Sequence, residues 1–205
     1  MSKGTHPSNA VNAIIMAPTR ELAQQIDQQI EGFTYFIPVS AVAIYGGTDG
    51  VAWEQQSRGL KMGADIVIAT PGRLISHIKL GGVDLSKVSF FILDEADRML
   101  DMGFFDDIMS IHKLLPPTCQ TIMFSATMPP EIKALSERFL SNPKSVSVAP
   151  PASPAATVDH RMLEVQPRDK KNALRQLIDR ENVKNAFVFC NRKRDVDLLG
   201  RWLSE

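Results

Sequence analysis

Short, almost entirely apolar runs alternate with longer amphipathic segments along most of the sequence. The run VNAIIMA (11–17) is followed by TRELAQQIDQQIEGF (19–33), whose apolar residues recur at helical spacing. Later runs such as DIVIAT (65–70) and VSFFILDE (88–95) are apolar nearly throughout, which is typical of strands covered on both faces. Strands that alternate with helices in this way predict an α/β fold, in which helices flank a parallel sheet.

A stretch rich in proline, alanine and serine, VAPPASPAATV (148–158), interrupts the alternation. Proline donates no backbone hydrogen bond and suits a semi-extended linker. The pattern then restarts with a strand-like HRMLEV, a helix around KKNALRQLIDR, a strand-like NAFVFC and a helix from about Arg194 to Leu203. We therefore predict a first domain over residues 1–148, a linker over 149–158 and the beginning of a second α/β domain over 159–205.

Composition excludes several classes of protein. A content of 44% hydrophobic and 22% charged residues is that of a globular chain and not of a disordered one. No apolar run approaches the roughly 20 residues that cross a bilayer, and the first ten residues lack the apolar core of a secretory signal. We expect a cytoplasmic protein with no membrane partner.

The polar residues of most interest follow the carboxyl ends of the predicted strands. Ligands of open parallel sheets bind at this edge. The residues fall into five groups along the chain: Thr19 and Arg20; Gly46 and Gly47; Thr70, Gly72 and Arg73; Asp94, Glu95 and Asp97; and Ser125 and Thr127. One edge of the sheet is thus predicted to collect hydroxyls, glycines, two arginines and a cluster of carboxylates.

Each group also has a simpler explanation. Asp94 could cap a helix, with the acids after it favouring the positive helix N-terminus. The segment Thr70-Pro71-Gly72 could be only a turn that starts a helix, and the glycine pair could be only a loop. Ser125 and Thr127 could be turn or cap residues. The common position of all five groups favours a binding site, because five independent accidents would otherwise have to coincide.

The ordered motifs resemble those of the DEAD-box RNA helicases. The matching segments are APTRELA (17–23), the glycine pair (46–47), TPGR (70–73), DEAD (94–97), SAT (125–127) and, more weakly, FVFCN (187–191). The resemblance covers essentially the whole chain and is closest in style to bacterial members. It implies two RecA-like domains, the first built on a parallel sheet flanked by helices. In this family the two domains bind ATP and single-stranded or locally opened RNA in the cleft between them.

The resemblance also implies roles for the acidic and hydroxyl residues. Asp94 would bind Mg²⁺ through water, and Glu95 would orient the water that attacks the γ-phosphate of ATP. These two residues would be the catalytic ones. Asp97 would pair with Ser125 or Thr127 and so link the state of the nucleotide to the grip on RNA.

A further set of residues would form the RNA-binding face. Glycines let the phosphodiester backbone approach main-chain N–H groups, and arginine and threonine donate to phosphate oxygens. The implied set is Thr19, Arg20, Gly46, Gly47, Thr70, Gly72 and Arg73. Because such contacts do not read bases, we expect little sequence specificity for single-stranded or duplex RNA.

The sequence contains no GxxxxGK[ST] phosphate loop. By comparison with the family pattern, we expect this chain to be a fragment without the phosphate loop and without the arginine finger of the second domain. An arginine finger alone accelerates phosphoryl transfer by a factor of about 10³ to 10⁵. We therefore expect these 205 residues to be inactive by themselves. The alternative is a non-catalytic module that binds RNA or a protein partner.

Overall fold

The computed structural model describes residues 6–47, 50–148, 158–159 and 161–204. The chain divides into two compact units, Met1–Ser153 and Pro154–Glu205. Most of the predicted linker lies outside the described residues. Among the described residues, no helix is both long enough and apolar enough to cross a membrane.

The first unit contains one parallel sheet. Its strands within the described residues are β1 (Ala13–Met16), β2 (Ala41–Ile44), β3 (Ile66–Ala69), β4 (Phe90–Leu93) and β5 (Gln120–Met123). They lie in the order β2-β3-β1-β4-β5, and every neighbouring pair is parallel. The register places Ile14 beside Val67 on one side and Phe91 on the other. The predicted α/β fold with a parallel sheet is therefore confirmed.

Helices connect the strands. Those of the first unit are α1 (Arg20–Thr34), α2 (Gly50–Lys61), α3 (Pro71–Lys79), α4 (Ala96–Asp101), α5 (Phe105–His112) and α6 (Pro130–Phe139). Parallel strands require such crossover connections, because the chain must return to the starting edge before the next strand begins.

The two faces of the sheet bury different side chains, because successive residues of a strand lie on opposite faces. Ile14, Met16 and Phe91 belong to the larger hydrophobic cluster, together with apolar residues of α3 to α6. Ala13 and Ala17 belong to a smaller cluster, against which apolar residues of α1 pack. Full burial of a side chain such as Phe91 contributes about 1.5 to 3 kcal/mol to the free energy of unfolding. Packing on both faces therefore holds the strands, and the residues at their ends, in place.

The second unit contains helices α7 (Lys170–Arg180) and α8 (Lys193–Ser204), preceded by one turn of 3₁₀ helix. Both helices agree with the predicted ones. The two strands predicted in this unit, HRMLEV (160–165) and NAFVFC (185–190), were wrong, because residues 161–165 and 185–190 form no strand, while residue 160 lies outside the described residues. A strand is held by backbone hydrogen bonds to a neighbouring strand, and the described part of this unit provides none. Phe187 and Phe189 consequently remain 93% and 92% exposed.

Candidate functional site

The predicted site residues of the first unit come together at one edge of the sheet. All of its strands are parallel, so their carboxyl ends meet at that edge. Backbone hydrogen bonds continue the alignment beyond the strands: Thr70 N–H donates to Ile44 O at 3.0 Å, and Asp94 N–H donates to Met16 O at 3.0 Å. The turns that carry the polar residues are therefore fixed relative to one another.

The acidic segment forms a tight turn between β4 and α4. Glu95 adopts the left-handed conformation, with φ 50° and ψ 51°. This conformation costs a residue with a side chain about 1 to 2 kcal/mol. It is held by two hydrogen bonds, from Ala96 N–H to Phe124 O at 2.9 Å and from Met99 N–H to Glu95 O at 3.0 Å. Backbone strain of this kind concentrates at functional sites.

Helix capping does not explain the first two carboxylates. Glu95 occupies the N-cap position of α4, but its side chain makes no capping hydrogen bond. The Oδ1 atom of Asp94 accepts a hydrogen bond from Glu95 N–H at 3.0 Å, which orients the Asp94 carboxylate at the strand end. Asp94 is half-buried and Glu95 is exposed. Within the described residues, Asp94 thus has a local backbone contact with Glu95 N–H and Glu95 has no capping bond, so capping of α4 does not account for either carboxylate.

Asp97 ties this turn to the loop after β5. Its side chain is buried, and its Oδ2 atom accepts hydrogen bonds from Thr127 N–H at 2.9 Å and from Thr127 Oγ1 at 2.7 Å. Its Oδ1 atom accepts from Arg98 N–H at 3.0 Å. Ser125 Oγ donates in turn to Thr127 O at 2.7 Å. Of the two predicted partners, Thr127 therefore makes two hydrogen bonds to Asp97, while the Ser125 hydroxyl lies beside them and donates to the Thr127 carbonyl.

These contacts stabilise the ionised form of Asp97. Burial by itself raises the pKa of this carboxyl group, but the hydrogen bonds from the side chain and backbone of Thr127 oppose it. The Arg98 backbone N–H and the nearby Ser125 hydroxyl act in the same direction, and the pKa of Asp97 lies below its ordinary value. Asp97 is therefore an anion at neutral pH, and it acts as a fixed acceptor between α4 and the loop.

Thr19, Arg20 and Gly47 lie at the neighbouring part of the edge. Thr19 caps α1, because its Oγ1 atom accepts from Leu22 N–H at 3.3 Å. Gly47 has φ +78°, and a Cβ atom there would lie 3.2 Å from Nη1 of Arg20. The Arg20 guanidinium also hydrogen-bonds the carboxylate of Glu21, which raises the pKa of Arg20. The first two predicted groups therefore lie against each other.

The other two predicted glycines are open to an approaching ligand. A Cβ atom at Gly46 or at Gly72 would meet nothing within 4 Å. Thr70 precedes Gly72 at the N-cap of α3, with proline in the first turn and no side-chain capping bond. The turn explanation of this segment is thus correct for its backbone, but it leaves the threonine hydroxyl without a capping function.

Arg73 is held by two residues that the sequence did not single out. Its Nε donates to Gln56 Oε1 at 3.0 Å, and its Cζ atom lies 4.3 Å from the centre of the Trp53 ring. Both partners belong to α2, a segment in which only the helical pattern was recognised. The three-residue spacing of Trp53 and Gln56 indicates that they share one face of the helix. It does not indicate that this face would pack against the helix that carries Arg73.

Comparison with the sequences of known proteins gives the family of the chain. The sequence model of the DEAD/DEAH box helicases matches residues 2–135. The chain belongs to this family. It is 40% identical over 96% of its length to an ATP-dependent RNA helicase CshA of Listeria monocytogenes. It is 40% identical over 95% of its length to the DEAD-box ATP-dependent RNA helicase CshA of Bacillus subtilis.

A further relative is similar over nearly the whole chain. An RNA helicase CrhR of Synechocystis is 38% identical over 95% of the chain. The chain spans 37% to 39% of the length of these three curated relatives. The five segments of the first unit that resemble DEAD-box motifs, from the Thr19 segment to the Ser125 segment, follow the carboxyl ends of its strands.

The donor chemistry at Asp94 fits the Mg²⁺ ion that a DEAD-box ATPase implies. Mg²⁺ binds through one or two carboxylates together with water and substrate phosphates. Asp94 supplies carboxylate oxygens at the strand end, held in orientation by Glu95 N–H.

Proposed function

We propose that this chain carries the acidic and RNA-facing motifs of a DEAD-box ATP-dependent RNA helicase, which opens short RNA duplexes with ATP. The main support is the hydrogen-bonded pair of Asp97 and Thr127, which joins the acidic turn to the loop after β5. The family assignment and the RNA helicase names of the relatives support the same activity.

In this proposal the catalytic residues are Asp94 and Glu95. Asp94 holds Mg²⁺ through water, and the ion neutralises charge on the phosphates of ATP. The exposed Glu95 carboxylate orients and polarises the attacking water, a role that requires an ionised acid beside the γ-phosphate. The contacts of Asp97 with Thr127, and of Ser125 with the same loop, transmit the nucleotide state to the RNA face.

The RNA face consists of the seven residues predicted from the sequence. The open backbone at Gly46 and Gly72 permits close approach of a phosphodiester chain. Arg20 and Arg73 supply positive charge at the same edge, so contacts to phosphate dominate and bases are not read. The predicted location in the cytoplasm remains part of this proposal.

RNA binding by the 205-residue chain tests the proposal directly. Fluorescence anisotropy with labelled single-stranded RNAs of equal length and different sequence should give similar affinities that fall as salt rises. Arg20→Ala should weaken binding, because a phosphate contact is lost. Lys61→Ala is the matched control, since Lys61 is exposed at the far end of α2. Equal losses from the two variants would contradict the proposed face.

Hydrolysis provides a second test. Since the sequence contains no GxxxxGK[ST] pattern, we expect no RNA-stimulated phosphate release from this chain. Turnover that Glu95→Gln abolishes would contradict that expectation.

The mass of the natural protein, captured with an antibody against the acidic segment, distinguishes the helicase from the alternative, a non-catalytic binding module. A larger mass, with peptides containing a GKT sequence, would support the helicase. A mass of 22.7 kDa would support the module.

A further inference from the structure

Gln56 lies behind the RNA face, in the middle of α2. It is buried, with 6% of its surface exposed. Its Oε1 atom accepts the hydrogen bond from Arg73 Nε at 3.0 Å, and its Nε2 atom donates to Tyr45 O at 3.3 Å. Tyr45 immediately precedes Gly46. One buried amide therefore contacts both the glycine-pair segment and the arginine of the TPGR segment.

Trp53 reinforces this arrangement from one turn earlier on the same face of α2. Its ring stacks on the buried His77 ring, with centroids 3.9 Å apart and an interplanar angle of 8°. The Arg73 guanidinium lies over the same Trp53 ring. An arginine over tryptophan gains a cation–π interaction that grows stronger as water is excluded. Because His77 fixes the ring, the ring in turn restricts the plane of the guanidinium.

His77 adds no competing charge to this cluster. Burial lowers the pKa of His77, and the positive charge of Arg73 lowers it further. The imidazole is therefore neutral at pH 7, and its Nε2 atom lies 3.5 Å from Gln56 Oε1. Arg73 is thus the cation of the cluster that a phosphate would meet.

We propose that Gln56 and Trp53 are positioning residues for RNA binding, which hold the Arg73 guanidinium and the backbone before Gly46 in one arrangement for the sugar-phosphate chain. The inference rests on the proposed function, because it assumes that Arg73 contacts RNA. A free arginine side chain would lose rotamer entropy on binding, equivalent to a factor of at most about thirty in affinity. Contacts made before RNA arrives remove part of that loss.

The test compares RNA affinities of five single variants of the 205-residue chain by fluorescence anisotropy. Arg73→Ala should weaken binding about tenfold, the factor that corresponds to about 1.4 kcal/mol. Gln56→Met keeps the side-chain volume but removes both hydrogen bonds, and it should weaken binding about three- to tenfold, as should Trp53→Ala. Trp53→Phe should restore most of the affinity. Gln55→Ala is the matched control, because Gln55 is the exposed neighbour of Gln56.

The double variant Gln56→Met with Arg73→Ala separates positioning from general damage. If Gln56 acts largely through Arg73, Gln56→Met should cost clearly less affinity in the Arg73→Ala background than in the unmodified chain, and what remains is the part contributed by its contact with Tyr45 O. Losses that simply add would overturn the inference. Urea unfolding of each variant shows whether it is folded. If Gln56→Met does not fold, the comparison of Trp53→Ala with Trp53→Phe still tests the inference.

An RNA-independent measurement distinguishes failure of this inference from failure of the proposed function. The Nε–H signal of Arg73 in a ¹H–¹⁵N spectrum, assigned by its loss in Arg73→Ala, should be protected from exchange and should disappear in Gln56→Met. If it does so while the unmodified chain binds no RNA, the proposed function is wrong and the positioning of Arg73 stands. If the chain binds RNA but Gln56→Met leaves both the signal and the affinity unchanged, the positioning role is wrong.

Discussion

Thr127→Val removes one of the hydrogen bonds that stabilise ionised Asp97, while it preserves the shape of the side chain. The lost bond is the 2.7 Å contact from Oγ1 to Asp97 Oδ2, and the 2.9 Å contact from the Thr127 backbone remains. A hydrogen bond to a charged group contributes about 1.5 to 3 kcal/mol. Because Thr127 is itself exposed, we expect the lower end, a loss of about 1.5 kcal/mol in the free energy of unfolding at pH 7.

The loss should depend on pH with a definite sign. The pKa of Asp97 is lowered in the folded chain, because the hydrogen bonds led by Thr127 outweigh burial. A group with a lowered folded pKa contributes stability above its unfolded pKa, and this stability disappears as the pH falls through the folded value. The difference between the two proteins should therefore be complete at pH 7 and should shrink below about pH 3.9, the ordinary pKa of aspartate.

Urea unfolding followed by far-ultraviolet circular dichroism measures the effect at pH 7 and pH 3. Thr34→Val is the matched control, because Thr34 Oγ1 donates to the neutral carbonyl of Ile30 at 2.9 Å. Its loss should be smaller, about 0.5 to 1 kcal/mol, and equal at both pH values. The reasoning would be refuted if Thr127→Val cost no more than Thr34→Val at pH 7, or if its cost were the same at both pH values.

Four further substitutions test the backbone and one buried polar group by the same unfolding measurement. Gly63→Ala should be strongly destabilising, because its Cβ would lie 2.2 Å from the backbone of Asn9. Gly81→Ala, with φ +66° and nothing within 4 Å, should cost only about 1 to 2 kcal/mol, so equal losses would be inconsistent with a clash. Glu95→Gly should raise the free energy of unfolding by up to about 1 kcal/mol, since glycine relieves the left-handed backbone; a fall would argue against strain at this turn. Asp65→Ala removes the shared acceptor of three hydrogen bonds and should cost about 3 kcal/mol, whereas a loss below about 1 kcal/mol would show that these bonds contribute little.

Much of the first unit was predictable because its strands are short and apolar on both faces. A short apolar run such as DIVIAT (65–70) would be part of a helix only if it belonged to a longer amphipathic pattern. Here the amphipathic pattern begins after the run, so the run itself is predicted as a strand. The strand predictions in the second unit failed for a related reason. Apolar runs such as the one ending at Cys190 indicate only a capacity to pair, and the described residues of that unit provide no strand to pair with.

The left-handed conformation of Glu95 could not be predicted from local preference. Glutamate has no particular tendency toward positive φ, and the turn is imposed by the hydrogen bond from Ala96 N–H to Phe124 O. The positions of Trp53 and Gln56 against Arg73 likewise depend on how α2 and α3 pack. These features arise from contacts between segments that are distant in the chain.

The sequence by itself determined which chemical groups follow which strands, because apolar periodicity and the adjacent polar residues are both local properties. It also determined that these groups share one sheet edge, since parallel strands place their carboxyl ends together. Only the tertiary structure decided which groups touch. The strand order β2-β3-β1-β4-β5 places β4 beside β5, and this brings Thr127 within hydrogen-bonding distance of Asp97. Strand order follows from the packing of the whole core, so no local pattern specifies that contact.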